Sequence, residues 1–176
     1  KEMIMFDKSV AYALMEYEKR SETTKIGAEI SRSASKAFYK NGNRVQRTAD
    51  IIGEFRAVLF CPSHLGIISG SPSVRRDFLD GAISQLKPVY IKLMARYNNV
   101  MSARNAILKM DEREREQYRE TIDFYSSELA SICADIADAR NEYVKKLDYW
   151  VREFFSQMTN GRELPSISYT FKNVLK

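Results

Sequence analysis

The sequence predicts an α+β protein in which an antiparallel sheet gives way to helices and the chain then returns to extended structure. Three observations predict it. Residues 9–47 alternate apolar and polar side chains around the hairpin dipeptide Asn41-Gly42. From Pro72 the apolar residues recur at threes and fours as far as Met158. Beyond Asn160-Gly161, the residues Ile167, Tyr169 and Phe171 alternate once more.

Each element has its own local reason. Residues 9–19 are rich in Val, Tyr and Leu and suit a strand. In residues 24–33, Ile26, Ala28 and Ile30 fall on one face of a second strand, with Lys25 and Glu29 on the other. Residues 36–40 lead into Asn41-Gly42-Asn43, where Asn and Gly tolerate positive φ, and Val45 lies beyond. Thr48 is positioned to cap a short helix over 49–54. Residues 57–60, Ala-Val-Leu-Phe, are wholly apolar and fit a buried strand. Residues 62–69 fit one or two helical turns closed by Gly70.

The helical part opens at Ser71-Pro72, with Ser71 as N-cap and Pro72 in the first turn. Phe78, Leu79, Ala82, Ile83 and Leu86 make one apolar stripe, and Lys87-Pro88 breaks it. A second helix is expected from about 89 to 109. A third begins near Glu112 and carries a stripe of Ile122, Tyr125, Leu129, Ile132, Ile136, Ala139, Tyr143, Leu147, Trp150 and Phe154. Asn160-Gly161 ends it. The interleaved acids and arginines of 111–120 fit an exposed helix start held by i,i+4 pairs. The aromatic load of this helix fits packing at helical spacing, with base stacking as the other reading. The division expected is 1–70 sheet, 71–161 helical arm and 162–176 return strand.

Composition is that of a globular protein, at 44% hydrophobic and 29% charged residues. No apolar run is long enough to span a bilayer and no signal-peptide pattern opens the chain, so a cytoplasmic location is expected. Cys61 and Cys133 sit in no metal or redox spacing and are expected to be buried free thiols. Charge is uneven. Residues 71–110 carry 7 basic and 2 acidic side chains, whereas residues 111–176 carry 10 basic and 13 acidic. The electropositive stretch points to a phosphate or nucleic-acid surface.

The candidate binding residues follow from this. Arg75 and Arg76 occupy a first helical turn, where the helix dipole favours acids, so they point to an anionic partner. The competing reading is an exposed pair neutralised by Asp77 and Asp80. Lys92, Arg96 and Arg104 fall on one helix at spacings that share a face. Tyr90, Tyr97 and several Asn lie among them, and these side chains hydrogen-bond phosphate oxygens where Lys and Arg neutralise them. The hairpin bases Lys36, Lys40, Arg44 and Arg47 form a second candidate group.

Residues 56–60 (Arg-Ala-Val-Leu-Phe), Pro62, residues 70–80 (Gly-Ser-Pro-Ser-Val-Arg-Arg-Asp-Phe-Leu-Asp), Pro88-Val89-Tyr90, Arg96-Tyr97-Asn98 and Arg104-Asn105-Ala106 together resemble the RecF family of ABC/SMC-type ATPases. The match runs without a gap from about Arg56 to Lys109. Asn41-Gly42-Asn43 is similar to the family's hairpin, and residues 160–164 (Asn-Gly-Arg-Glu-Leu) to the loop leaving its helical arm. The resemblance implies the antiparallel sheet of an ABC-type head with a helical arm, or lid, inserted. The chain starts at Lys1 and ends at Lys176, which reads as a middle segment between the phosphate-binding loop and the ABC signature.

What the resemblance implies for function is an ATP-dependent DNA-binding protein of recombinational repair, replication and the SOS response. It would recognise gapped or single-strand/duplex junction DNA and support recombinase loading. ATP and Mg²⁺ are the implied cofactors of the full-length protein, with none bound by this segment. RecR, RecO and an ATP-dependent homodimer are the implied partners. The sequence holds no Gly-x-x-x-x-Gly-Lys-Ser/Thr loop, no ABC signature and no strand ending in paired acids, so ATP hydrolysis by this segment alone is not expected. After the strand at 57–60 the family reads Pro-Glu-Asp-Leu, near the nucleotide. Here Ser63 and His64 replace the acidic pair, and imidazole is a poor Mg²⁺ ligand. Two rival readings remain: a helical interaction module without DNA contact, and a piece of another SMC-like ATPase, which would require a long continuous coiled coil where Asn160-Gly161 closes this arm after one modest excursion.

Overall fold

The computed structural model describes residues 2–19 and 21–171. The chain forms two compact units, residues 1–57 and 58–176. The turns over 62–69 therefore group with the helices.

The first unit is a four-stranded antiparallel meander, β1 (Val10–Lys19), β2 (Glu22–Ser31), β3 (Ala37–Lys40) and β4 (Asn43–Val45), in that spatial order. Register follows the alternation. Ala11 opposes Ile30, Ala13 opposes Ala28 and Met15 opposes Ile26, which gathers the apolar set on one face. Glu16 and Lys25, opposed on the other face, form an ion pair of 3.0 Å. Asn41 (φ 50°) and Gly42 (φ 82°) make the expected tight turn between β3 and β4. Asn41 also extends the sheet, because its N–H donates to the Lys25 carbonyl and its Oδ1 accepts from the Lys25 N–H, both at 2.8 Å. Arg32 ties down the segment before β1 by donating to the carbonyls of Ile4, Met5 and Lys8. The expected helix over 49–54 is reduced to one 3-10 turn, Thr48–Asp50, without a side-chain cap.

The strand expected over 57–60 is not formed. These four residues pair with no strand, and Val58, Leu59 and Phe60 are at least 72% exposed. An apolar strand needs hydrogen-bonded neighbouring strands, and among the described residues no strand forms over Val58, Leu59 and Phe60.

The second unit contains a 3-10 turn (Pro62–Leu65) and α1 (Gly66–Ser69), α2 (Pro72–Leu86), α3 (Pro88–Leu108), α4 (Glu112–Glu116) and α5 (Arg119–Thr159). Asp80 of α2 meets Arg140 of α5, and Lys87 at the head of α3 meets Glu142. Further along, Arg96 meets Glu128 and Arg104 meets Ser126. As numbers rise on α2 and α3 they fall on α5. The unit is thus a helical hairpin: one limb, α2–α3, is broken at Lys87-Pro88, and the other, α5, runs unbroken for about 60 Å at 1.5 Å per residue. Between the limbs lies one core: Leu79, Ile83, Tyr90 and Val100 against Leu129, Ile132, Ile136 and Val144.

The stripe predictions hold at the centre and fail at the ends. Phe78, Leu86, Trp150 and Phe154 are exposed, lying outside the core that includes Leu79, Ile83, Leu129, Ile132, Ile136 and Val144. The single long helix expected from Glu112 is interrupted at Gln117 and Tyr118, whose N–H groups bond three residues back instead of four. Asp111 caps α4 by accepting from the Glu114 N–H at 2.9 Å. Asn160 (φ 52°) and Gly161 (φ 73°) end α5 in the left-handed region, as Asn-Gly allows. Residues 163–171 form no strand. They lie along the helices instead, with the Ile167 N–H donated to Asp148 at 2.6 Å and Tyr169 packed on the core. Residues 172–176 of the expected return strand lie outside the described residues. Both cysteines are free and half-buried. No helix among the described residues is long and apolar enough to cross a membrane.

Candidate nucleic-acid interface

The arginines at the start of α2 have separate fates. Ser71 occupies the N-cap position with extended backbone, yet its hydroxyl bonds the Ser73 hydroxyl at 2.6 Å and caps nothing. Arg75 turns back and donates to the carbonyls of Gly70 (3.0 Å), Ile67 and Ile68 (both 3.4 Å). Its anionic partner is thus the negative end of α1, whose last carbonyls have no helical acceptor role left to fill. Arg76 is exposed, with neither an ion pair nor a hydrogen bond among the described residues.

Asp80 does not neutralise this pair, contrary to the sequence reading. It turns inward to Arg140 of α5, which donates from Nε and Nη2 to the two carboxylate oxygens at 2.8 Å each. The Tyr90 hydroxyl donates to the same carboxylate at 2.6 Å, and Arg140 Nη1 reaches the Tyr169 hydroxyl at 3.4 Å. This fork is largely shielded, with the Arg140 and Asp80 side chains 12% and 19% exposed. Burial and the neighbouring Asp80 carboxylate push the Tyr90 phenol well above its usual range. For Arg140, burial alone would lower the guanidinium, but the bonds to Asp80 and Tyr169 outweigh it and raise it further. The network joins α2, α3, α5 and the segment leaving α5. It escaped the sequence reading although a signal existed: Arg140 continues the i+4 series Ile132, Ile136 into the buried face.

The remaining basic candidates divide in the same way. Arg96 forms an ion pair with Glu128 at 2.7 Å, and Arg104 donates to the Ser126 hydroxyl at 2.8 Å. Both tie α3 to α5. Lys92 is exposed with no polar partner among the described residues. In the sheet unit, Lys40 pairs with Glu54 at 2.8 Å and Arg47 with Asp50 at 3.3 Å, while Arg44 beside the hairpin turn is exposed and unpaired among the described residues. Lys36 is exposed before β3. Arg44, Arg76 and Lys92 thus remain available to a partner, and Arg75, Arg96, Arg104, Lys40 and Arg47 have internal work.

Ser63 and His64 lie in the 3-10 turn. The Ser63 hydroxyl is 2.9 Å from Cys61 Sγ and the His64 N–H donates to the Cys61 carbonyl at 2.9 Å. Neither stands in a group of metal-ligating side chains, and the described residues hold no such group.

Comparison with known proteins places this arrangement. The DNA replication and repair protein RecF of Shouchella clausii is 30% identical over 169 residues, 96% of this chain and 45% of that protein. The chain belongs to the RecF family. RecF of Clostridium perfringens is also 30% identical over 169 residues. Among solved structures, the recombination mediator protein RecF-ATP of the RecFOR pathway superposes with a TM-score of 0.80 at 27% identity, over 90% of this chain and 43% of that one. No protein-family model matches. The chain spans about 45% of the length of the curated relatives it matches. The antiparallel sheet with its helices therefore matches the RecF fold over the 90% of the chain that superposes.

Proposed function

We propose that this segment belongs to an ATP-dependent DNA-binding protein of recombinational repair and replication, in which the helical hairpin is the arm and the meander is part of the ATPase head. The observation that carries the reading is the similarity along 96% of the chain to RecF proteins, supported by the superposition on RecF-ATP. In this reading ATP and Mg²⁺ are bound by the full-length protein through parts outside these residues. ATP-driven dimerisation closes it on gapped or junction DNA, and RecR and RecO are its partners in recombinase loading.

Within this segment we assign DNA-phosphate contact to Arg44, Arg76 and Lys92. They are exposed, and no polar partner engages their charge among the described residues. Arg75 braces the root of the arm, and Arg96 and Arg104 hold its limbs together. Ser63 and His64 follow the apolar stretch where relatives carry acids. The Ser63 hydroxyl could still reach Mg²⁺ through water, whereas the His64 imidazole suits it poorly.

The test is DNA binding by the full-length protein with ATP, followed by anisotropy across a salt series. Arg76→Glu and Lys92→Glu are expected to weaken binding and to flatten the salt slope by about one each. Arg96→Ala is expected to leave the slope alone. Equal slopes in all three variants would remove these residues from the interface.

A further inference from the structure

Beneath the segment that leaves α5 is a recess that the fold does not fill. It measures about 340 Å³ and lies at the arm's root, between the end of α1, the first turns of α2, the α5 stretch around Leu147, and residues 167–170. Ile67, Leu79, Val144, Leu147 and Ile167 give it aliphatic walls, and Phe78 closes one side. Interiors are normally packed without such voids, so an open apolar recess of this size is a place for a guest side chain.

Its charge is one-sided. Among the described residues that line it, Arg75 and Arg76 are the only ionisable side chains besides the Tyr169 phenol, and none is a carboxylate. Arg75 is held by neutral carbonyls and keeps its full charge. Arg76 has no partner among the described residues. Asp148, on the neighbouring stretch of α5, is occupied by the Ile167 N–H and by Arg152 at 2.9 Å. One uncompensated cation, Arg76, thus stands over an apolar recess, beside an Arg75 already held on the carbonyls of Ile67, Ile68 and Gly70.

We propose that this recess is a docking site for an acidic segment of a protein partner, anchored by one aromatic or branched aliphatic side chain. The anchor fills the aliphatic pocket, and neighbouring carboxylates face Arg75 and Arg76. A nucleic acid meets the cations but suits the pocket less well, because aliphatic side chains outnumber the two rings, Phe78 and Tyr169, on which a base could stack. The inference shares Arg76 with the DNA reading above and differs from it in requiring the aliphatic pocket.

The probe is a fluorescein-labelled Glu-Asp-Asp-Leu-Phe peptide, titrated with the full chain by anisotropy. Two companion peptides carry Ser-Ser in place of Leu-Phe, or Lys in place of the acids. Two variants alter the recess without touching Arg44, Arg76 or Lys92: Ile167→Trp fills it, and Thr170→Glu, at an exposed lining position, adds a carboxylate. Helix content by circular dichroism checks that both stay folded. The expected result is binding by the first peptide alone, weakened about ten-fold by either variant, with DNA affinity unchanged by Ile167→Trp, which adds no charge. Three results would each overturn the proposal: no binding at millimolar peptide, equal binding of the Ser-Ser peptide, or binding that neither variant alters. A loss of duplex-DNA affinity in Ile167→Trp as large as its loss of peptide affinity would assign the pocket to DNA and overturn it as well.

Discussion

Arg140 and Asp80 are the pair on which the arm depends at the scale of single residues. A buried guanidinium and carboxylate tolerate each other only because each satisfies the other, and removing one leaves an uncompensated charge. Arg140→Ala is therefore expected to cost about 3 kcal/mol in urea unfolding. Asp80→Leu/Arg140→Leu is expected to lose much less, because no lone charge remains. If the double variant is as unstable as the single one, the packing of the arginine stem matters and the ion pair does not. Tyr90 gives the same network a pH signature. Its phenol is held protonated in the fold by burial and by Asp80, so its folded pKa lies above the ordinary value of 10.0. The stabilisation is complete below that ordinary value and is lost as pH rises beyond it toward the folded value. Stability should fall on the alkaline side of pH 10, and Tyr90→Phe should flatten that limb in a series of thermal melts.

Elements are joined here by a few close contacts. Gly70 turns the chain from α1 into α2, and its φ of −86° is open to any residue. Glycine is required for another reason: a Cβ at this position would lie 2.4 Å from the Gly66 carbonyl oxygen. Gly70→Ala must push α1 away, and with it the carbonyls that Arg75 holds. A loss of about 2 kcal/mol is expected, read as a lowered midpoint of thermal unfolding. Asp148 plays the opposite part at the other end of α5, fastening the segment that leaves it. The Ile167 N–H, with Arg152 and Ser166, holds the Asp148 carboxyl below its ordinary value of 3.8. Its contribution is present above that value and is lost as pH falls through the lower folded value. Asp148→Asn at neutral pH is expected to raise hydrogen exchange over residues 163–171 while the α2–α5 core keeps its protection. Unchanged exchange there would show that Tyr169 alone secures the segment.

At the scale of the whole molecule, the two units differ in what they own. The core of the hairpin, from Leu79 to Val144, draws on no residue before Val58. Residues 58–176 expressed alone should therefore keep their helix content and melt cooperatively. The meander buries little apolar surface of its own: Tyr12 and Leu14 remain 76% and 73% exposed on its outer face. Small sheets with one open face are marginal, so residues 1–57 alone should show no cooperative transition. Glu142 illustrates how surface charge is arranged along the hairpin. Lys87 and Lys146 flank it and hold its carboxyl at about 2, so it stays ionised at any working pH.

Much of this was legible in the residues themselves. The alternation in β1 and β2, the Asn41-Gly42 turn, the break at Lys87-Pro88 and the stop at Asn160-Gly161 are local instructions, written in backbone preference and hydrophobic period. Their outcomes match what the periods predict. The similarity carried by residues 56–109 likewise pointed to RecF before any coordinates. Other outcomes depend on what lies opposite. Residues 57–60 have the composition of a buried strand and no strand to pair with, so they stay exposed. Ile167, Tyr169 and Phe171 alternate like a strand, yet Asp148 and the helical core take hold of that segment. Arg75 and Asp80 sit five residues apart and ignore each other. One finds the carbonyls of α1 and the other a guanidinium sixty residues away, because an ion's partner is chosen by distance in space and by shielding from water. Period and turn chemistry determined the elements, and only the packing of α5 against α2 and α3 decided which charges are structural and which remain free to bind.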